Sequence, residues 1–168
     1  MIQSSLYEVI QQQADASWFV PAAIENVVVC EDHIKITLNS DQTLTAKLLV
    51  GADGLQSSVR KFAKIEFSKK LYQQNGIIAC VRTEHTHQNT AWQRFLSTGP
   101  LALLPLNNGE CSVVWSANDD YANELMQLGE YGFSKALTQA SDLQLGDITL
   151  CSKRTIFPLI SGQAEVMV

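Results

Sequence analysis

The chain has 168 residues, 46% apolar and 17% charged, with a net charge of -5. That is an ordinary globular composition, long enough to bury one good core or two small ones. The acidic balance and scattered Lys and Arg argue against a nucleic-acid partner, because phosphate binding needs clustered cations. Arg60-Lys61 with Lys64, then Lys69-Lys70, form the densest basic stretch; it reads as a solvated helix end or as an anion contact.

No apolar run approaches the roughly 20 residues of a membrane span. The segment from Met1 to Gln13 is amphipathic and polar-rich, unlike a signal peptide. Cys30, Cys80, Cys111 and Cys151 form no CxxC pair and sit in apolar or strand-like runs. A disulfide framework is not expected, and a reducing, cytoplasmic setting is.

In chain order, Ile2, Leu6, Val9 and Ile10 recur at helical spacing. This helix opens at Met1 with no capping residue before it, which suggests that the natural chain starts earlier. Val27–Val29 reads as a buried strand, and Ile34, Ile36 and Leu38 alternate with Lys35 and Thr37 as a half-buried one. After the Asn39-Ser40-Asp41 turn, Thr43–Val50 is expected as the partner strand, its apolar end entering a sheet covered on both faces. A short helix follows from about Ser57 to Ala63. Strands are expected at Ile77–Thr83, Trp92–Ser97, Leu101–Leu106 and Cys111–Ala117, with Asn107-Asn108-Gly109 as a hairpin turn. Tyr121, Leu125 and Leu128 mark a helix stopped by Gly129. Phe133, Ala136, Leu137 and Ala140 mark another, and a last strand, Ile148–Phe157, should end at Pro158.

The segment Leu48-Leu49-Val50-Gly51-Ala52-Asp53-Gly54-Leu55-Gln56-Ser57-Ser58-Val59-Arg60 carries the chemistry. A buried strand delivers the chain to a turn of small residues, where Gly51 and Gly54 allow close ligand approach or positive φ. Asp53 stands at the strand's carboxyl end, where open α/β sheets place their ligands. Ser57 is a natural N-cap, and the helix it starts would offer free N–H groups to phosphate. A plain strand-turn-helix, with Asp53 only accepting hydrogen bonds in the turn, fits the same spacing.

This stretch resembles the DG motif of the p-hydroxybenzoate hydroxylase-like flavoprotein hydroxylases. Gly51, Ala52, Asp53, Gly54, Ser57, Val59 and Arg60 meet the pattern, while Leu48 and Gln56 stand where that family often has charge. Arg94-Phe95, Gly99 to Leu106, Cys111 to Trp115, and Lys153-Arg154 through Phe157-Pro158-Leu159 are similar, in order, to the ubiquinone-biosynthesis branch, which includes the 2-octaprenyl-6-methoxyphenol hydroxylases. The resemblance implies an α+β fold. Residues 1–66 would be part of an FAD-binding domain, 67–160 a substrate-binding domain, and 161–168 the start of the return to the FAD domain. It implies FAD with NAD(P)H as reductant, and Asp53, Gly54, Ser57 and Arg60 as cofactor-side residues. A polyprenylated phenol would be the substrate, a ubiquinone-biosynthesis complex a candidate partner, and attachment at the inner membrane peripheral. No catalytic residue and no metal ligand is expected.

That family also opens with a GxGxxG βαβ unit and later carries a Gly-Asp motif followed by Pro. No GxG exists here, and Gly146-Asp147 runs into Ile148-Thr149-Leu150, as a turn entering a strand would. The chain alone is therefore expected neither to hold FAD nor to catalyse hydroxylation. A polyprenyl-lipid-binding or scaffold module and part of a flavin-dependent isoprenoid reductase are the competing readings.

Other residues carry weaker signals. His85 and His87 lack a third ligand and suggest a surface loop; His33 reads as structural. Arg94 shares a strand face with Trp92 and Leu96, either beside an aromatic pocket or as an exposed cation on an indole. Trp115 is expected in the core. Phe157-Pro158-Leu159 either lines a cavity or ends a strand.

Overall fold

The computed structural model describes residues 2–13 and 15–166; the expected helix start at Met1 lies outside them. The chain divides into two compact units, residues 1–66 with 164–168, and residues 67–163.

In the first unit, α1 (Ile2–Gln11) carries the expected apolar stripe, yet none of its described residues is buried. β1 (Ile24–Val29), β2 (Ile34–Leu38) and β3 (Thr43–Ala46) form an antiparallel sheet in that order. Alternation in β2 decides its facing: Ile36 and Leu38 are buried, and Ile36 pairs with both Val27 and Leu44. β3 stops at Ala46 rather than running to Val50. Its partner β2 begins at Ile34, opposite Ala46, so residues 47–50 have no ladder to join. Leu48 and Val50 are 74% and 71% exposed, which corrects the expectation of a strand covered on both faces. The chain then makes a 3-10 turn at Gly54–Gln56 and enters α2 (Ser58–Phe62).

The second unit is built on β4 (Phe67–Thr83), longer by ten residues than the apolar run suggests. With β5 (Trp92–Leu96), β6 (Gly99–Pro105), β7 (Cys111–Asn118) and β8 (Ile148–Leu150) it forms a sheet of order β5-β6-β7-β4-β8. The Asn107-Asn108-Gly109 turn joins β6 to β7 as expected, and Asn108 Oδ1 accepts the Glu110 N–H at 3.2 Å. One sheet face buries Ile77, Ala79, Val81, Leu101, Leu103, Val113 and Trp115. Across that face lie α3 (Asp119–Gln127) and α4 (Glu130–Ala140), which contribute Ala122, Leu125, Phe133 and Leu137 to one continuous core. Trp115 is fully buried there, edge-on to Tyr121. The opposite face, with Ile78, Cys80, Ala102, Leu104, Ser112 and Val114, stays half-buried or exposed.

The last expected strand is two strands. After β8 the chain leaves the sheet, and β9 (Thr155–Ala164) returns to pair with β4, running through Pro158 instead of ending there. Among the described residues β4 is the one strand paired with β9, which makes β9 an edge. An edge strand tolerates a residue without an N–H, provided that position points away from the ladder.

Candidate functional site

The turn after β3 is organised by one carboxylate. Asp53 Oδ2 accepts the Ser58 N–H at 2.6 Å and the Val59 N–H at 3.4 Å. Ser57 caps α2 as expected, its Oγ accepting the Arg60 N–H at 3.0 Å. The Ser57 hydroxyl in turn donates to Asp53, and this bond does most to hold that carboxyl below the usual carboxylate range. Desolvation opposes this as the next largest effect, and the backbone N–H groups of Ser58 and Val59 add to the lowering. Arg60 Nη2 donates to the Leu55 carbonyl at 2.9 Å, closing the loop from below.

Two consequences follow. The first three N–H groups of α2 are taken by Asp53 and Ser57, so this helix start is not the free phosphate cradle the spacing suggested. The physical reason is local: a carboxylate five residues upstream reaches those donors before any ligand can. Meanwhile Ser57 is buried and residues 51–56 are all exposed, so the turn presents its outer backbone as an open strip. Gly54 has φ +77°, and a Cβ there would meet nothing within 4 Å. Glycine is thus required by backbone conformation, and the space above it is open. The structure therefore brings Asp53, Gly54, Ser57 and Arg60 into one braced turn.

Other singled-out residues fall elsewhere. His87 is 7% exposed rather than on a surface loop, because its loop folds back onto Trp92. Its Nδ1 accepts the Asn89 N–H at 3.0 Å, and its carbonyl accepts the Trp92 Nε1–H at 3.4 Å. Among the described residues, no three His, Cys, Asp or Glu groups gather as a metal site. His33 pairs with Asp32, Nδ1 to Oδ1 2.6 Å. Arg94 donates to the Ala140 carbonyl at 3.0 Å and lies 3.6 Å from Asp142, at the rim of a cavity of about 250 Å³ walled by Trp92, Leu101 and Leu103. Gly146-Asp147 is the expected turn into β8, with the Asp147 N–H on Glu84 Oε2 at 3.0 Å.

Arg154 enters the sequence reading only as part of the family resemblance, and its task in the fold went unread. It binds the last carbonyls of α3, Nη1 to Leu125 at 2.7 Å and Nη2 to Leu128 at 2.6 Å. Only a basic residue some thirty positions downstream hints at this, and no spacing rule links the two.

Comparison with known proteins adds the following. Residues 31–156 match the FAD binding domain family. The chain is 44% identical over 108 residues to the ubiquinone biosynthesis monooxygenase COQ6, mitochondrial, of Danio rerio, covering 64% of this chain and 22% of that protein. It is 33% identical over 164 residues to the protein of that name from Caenorhabditis elegans, covering 95% and 36%. Among solved structures, PqsL of Pseudomonas aeruginosa, described as a probable FAD-dependent monooxygenase, superposes with a TM-score of 0.73 at 20% identity, over 89% of this chain and 45% of that one. The p-nitrophenol 4-monooxygenase PnpA of Pseudomonas putida gives 0.69 at 12% identity, over 98% and 42%. The chain thus spans less than half of each of these proteins, from 22% to 45%.

Proposed function

The chain belongs to the FAD binding domain family, and on that premise we propose that it forms part of an FAD-dependent monooxygenase that hydroxylates a polyprenylated phenol in ubiquinone biosynthesis, using NAD(P)H and O2. Its fold is that of the p-hydroxybenzoate hydroxylase-like monooxygenases. Residues 1–66 then belong to the FAD-binding domain, 67–160 to the substrate-binding domain and 161–168 to the return; the compact-unit boundary at Glu66/Phe67 supports the first division.

The observation that carries this reading is the turn at Gly51–Gln56, exposed along its length and braced from within by Asp53. It fits FAD as one wall of a site. Asp53 stays ionised, with its carboxylate engaged by two N–H groups and a hydroxyl of the turn itself, so it braces the turn and leaves contact with an anionic pyrophosphate to the exposed backbone. The open space above Gly54 lets a ligand approach the backbone closely. Asp53 and Ser57 hold the turn's shape, Gly54 supplies the contact surface, and Arg60 fixes the turn from below through Leu55. Bound FAD would supply electron transfer from NAD(P)H to oxygen and delivery of one hydroxyl to the ring.

The open face of the second unit's sheet suits a phenol with an isoprenoid tail. Ile78, Ala102, Leu104 and Val114 give apolar area, and Ser112 and Ser116 give hydroxyl partners. Such a substrate brings peripheral attachment at an inner membrane, the protein being otherwise cytoplasmic, and docking in a biosynthetic complex. Among the described residues no helix is long and apolar enough to cross a membrane.

Flavin retention tests the reading. Expressed at the length its relatives carry, the protein should purify yellow and add one oxygen atom to a polyprenylated phenol when given NAD(P)H. Asp53→Ala and Gly54→Val should each weaken FAD binding at least several-fold while circular dichroism stays unchanged. Undiminished FAD affinity in both folded variants would refute the assignment of the turn.

A further inference from the structure

β4 and β8 bring two of the four cysteines opposite one another. The ladder pairs Thr83 with Ile148, Arg82 with Thr149 and Val81 with Leu150. One further step sets Cys80 against Cys151, and the Cys151 N–H donates to the Cys80 carbonyl at 2.8 Å, so the pairing continues through this position. Directly opposed residues in such a pair have Cα atoms about 5.5 Å apart and side chains on one face. That lies inside the roughly 4.4–6.8 Å that a disulfide spans.

The facing is fixed by burial. Val81 and Ile148 point into the core, so Cys80 with Arg82, and Cys151 with Thr149, occupy the open face. There Cys151 Sγ lies 3.6 Å from the Thr149 carbonyl. Cys80 is half-buried and Cys151 exposed, so small oxidants reach both. The Cys80 N–H donates to Ser152 Oγ at 2.8 Å instead of returning a bond to Cys151. The chain leaves the ladder at this point, where the link between β8 and β9 begins.

We propose that Cys80 and Cys151 form a reversible thiol pair, which a hydroperoxide oxidant converts into a disulfide tying β4 to the segment between β8 and β9. One thiolate attacks the terminal peroxide oxygen, giving a sulfenic acid and, with hydrogen peroxide, one water. The second thiolate attacks that sulfur; the S–S bond forms as S–O breaks, and the departing hydroxide takes a proton to become a second water. Two thiols lose two electrons and the peroxide gains them. The bond closes across a hydrogen-bonded ladder position at an exposed site, and strained or exposed disulfides of this kind are the readily reduced ones.

The remaining thiols do not compete. Cys111 is fully buried on the covered face, where burial pushes its thiol up despite the Thr83 hydroxyl beside it. Cys30 belongs to the other unit.

The test is independent of flavin binding. The purified protein is exposed to hydrogen peroxide, unfolded under alkylation, and its free thiols counted. The count should fall from four to two, with the intact mass lower by two hydrogens and one peptide pair joined through Cys80 and Cys151. Thioredoxin or dithiothreitol should restore all four. Cys80→Ser and Cys151→Ser should each abolish the loss of mass, and Cys30→Ser and Cys111→Ser should leave it intact. An unchanged count, a linkage that includes Cys30 or Cys111, or a disulfide only between molecules would each overturn the proposal.

Discussion

The Arg154 guanidinium lies 4.8 Å above the ring of Phe133 while its two terminal nitrogens hold the carbonyls of Leu125 and Leu128. One side chain thus joins the C-terminal end of α3 to the first turn of α4. Orphan carbonyls at a helix end need donors, and a cation suits the negative end of the dipole. Charge-assisted bonds contribute about 1.5–3 kcal/mol and a cation over a ring about 0.5–1. Arg154 is half-buried and water can replace it on the freed carbonyls, so Arg154→Ala should destabilise the second unit by less than that sum, about 2–3 kcal/mol, read as a lower urea midpoint at unchanged slope. Arg154→Lys should recover less than half, because an ammonium lacks the planar fork that reaches both carbonyls while lying on the Phe133 ring. A loss below about 0.5 kcal/mol would show that neither bond contributes.

Local pattern made much of this architecture readable. β2, β7 and the β6–β7 turn could be placed from alternation and turn chemistry, and Ser57 from its capping position, because those signals act within a few residues. What escaped depends on distant partners. β3 halts at Ala46 because β2 begins at Ile34, which nothing in Leu48-Leu49-Val50 announces. Pro158 looks like a terminator until β9 is seen to lie at an edge. The DG-like turn was legible as a unit, and Asp53 accepting hydrogen bonds within it was one of the two readings its spacing allowed; that the donors would be the first N–H groups of α2 was not legible.

Gly76 and Phe157 show how closely β9 packs on β4. A Cβ on Gly76 would stand 2.6 Å from Phe157 Cζ and 2.9 Å from Cε2. Gly76→Ala should therefore cost about 1–3 kcal/mol through overpacking. Phe157→Leu in the same chain should relieve the clash, so the double variant should be more stable than the two single losses predict. A double-mutant cycle with coupling below about 0.5 kcal/mol would mean that the ring moves aside freely.

Arg94 carries two contacts of unequal worth. Its bond to the Ala140 carbonyl satisfies the end of α4, whereas its pairing with Asp142 is long, 3.6 Å, and 75% exposed on the acidic side. Exposed ion pairs of that kind contribute about 0–1 kcal/mol. Asp142→Asn should leave thermal stability nearly unchanged, and Arg94→Ala should lower it by about 1–2 kcal/mol through the lost carbonyl partner. Equal effects of the two substitutions would contradict this ranking.

Asp53 gives the turn a pH dependence of definite sign. Its carboxyl is held below the ordinary 3.8, first by the Ser57 hydroxyl and then by the Ser58 and Val59 N–H groups. A carboxyl with a depressed folded pKa stabilises the fold fully above its unfolded value, and loses that contribution as pH falls through the folded one. The turn should therefore be unaltered from neutrality to about pH 5 and loosen only in stronger acid. The Ser58 amide proton, 2.6 Å from Asp53 Oδ2 by its nitrogen, reports this directly. Its NMR shift should titrate with a midpoint below 3.8, and the step should vanish in Asp53→Asn, which keeps the shape and removes the charge. A midpoint at or above 3.8, or the same step in the asparagine variant, would mean that the carboxylate does not hold the helix start as described.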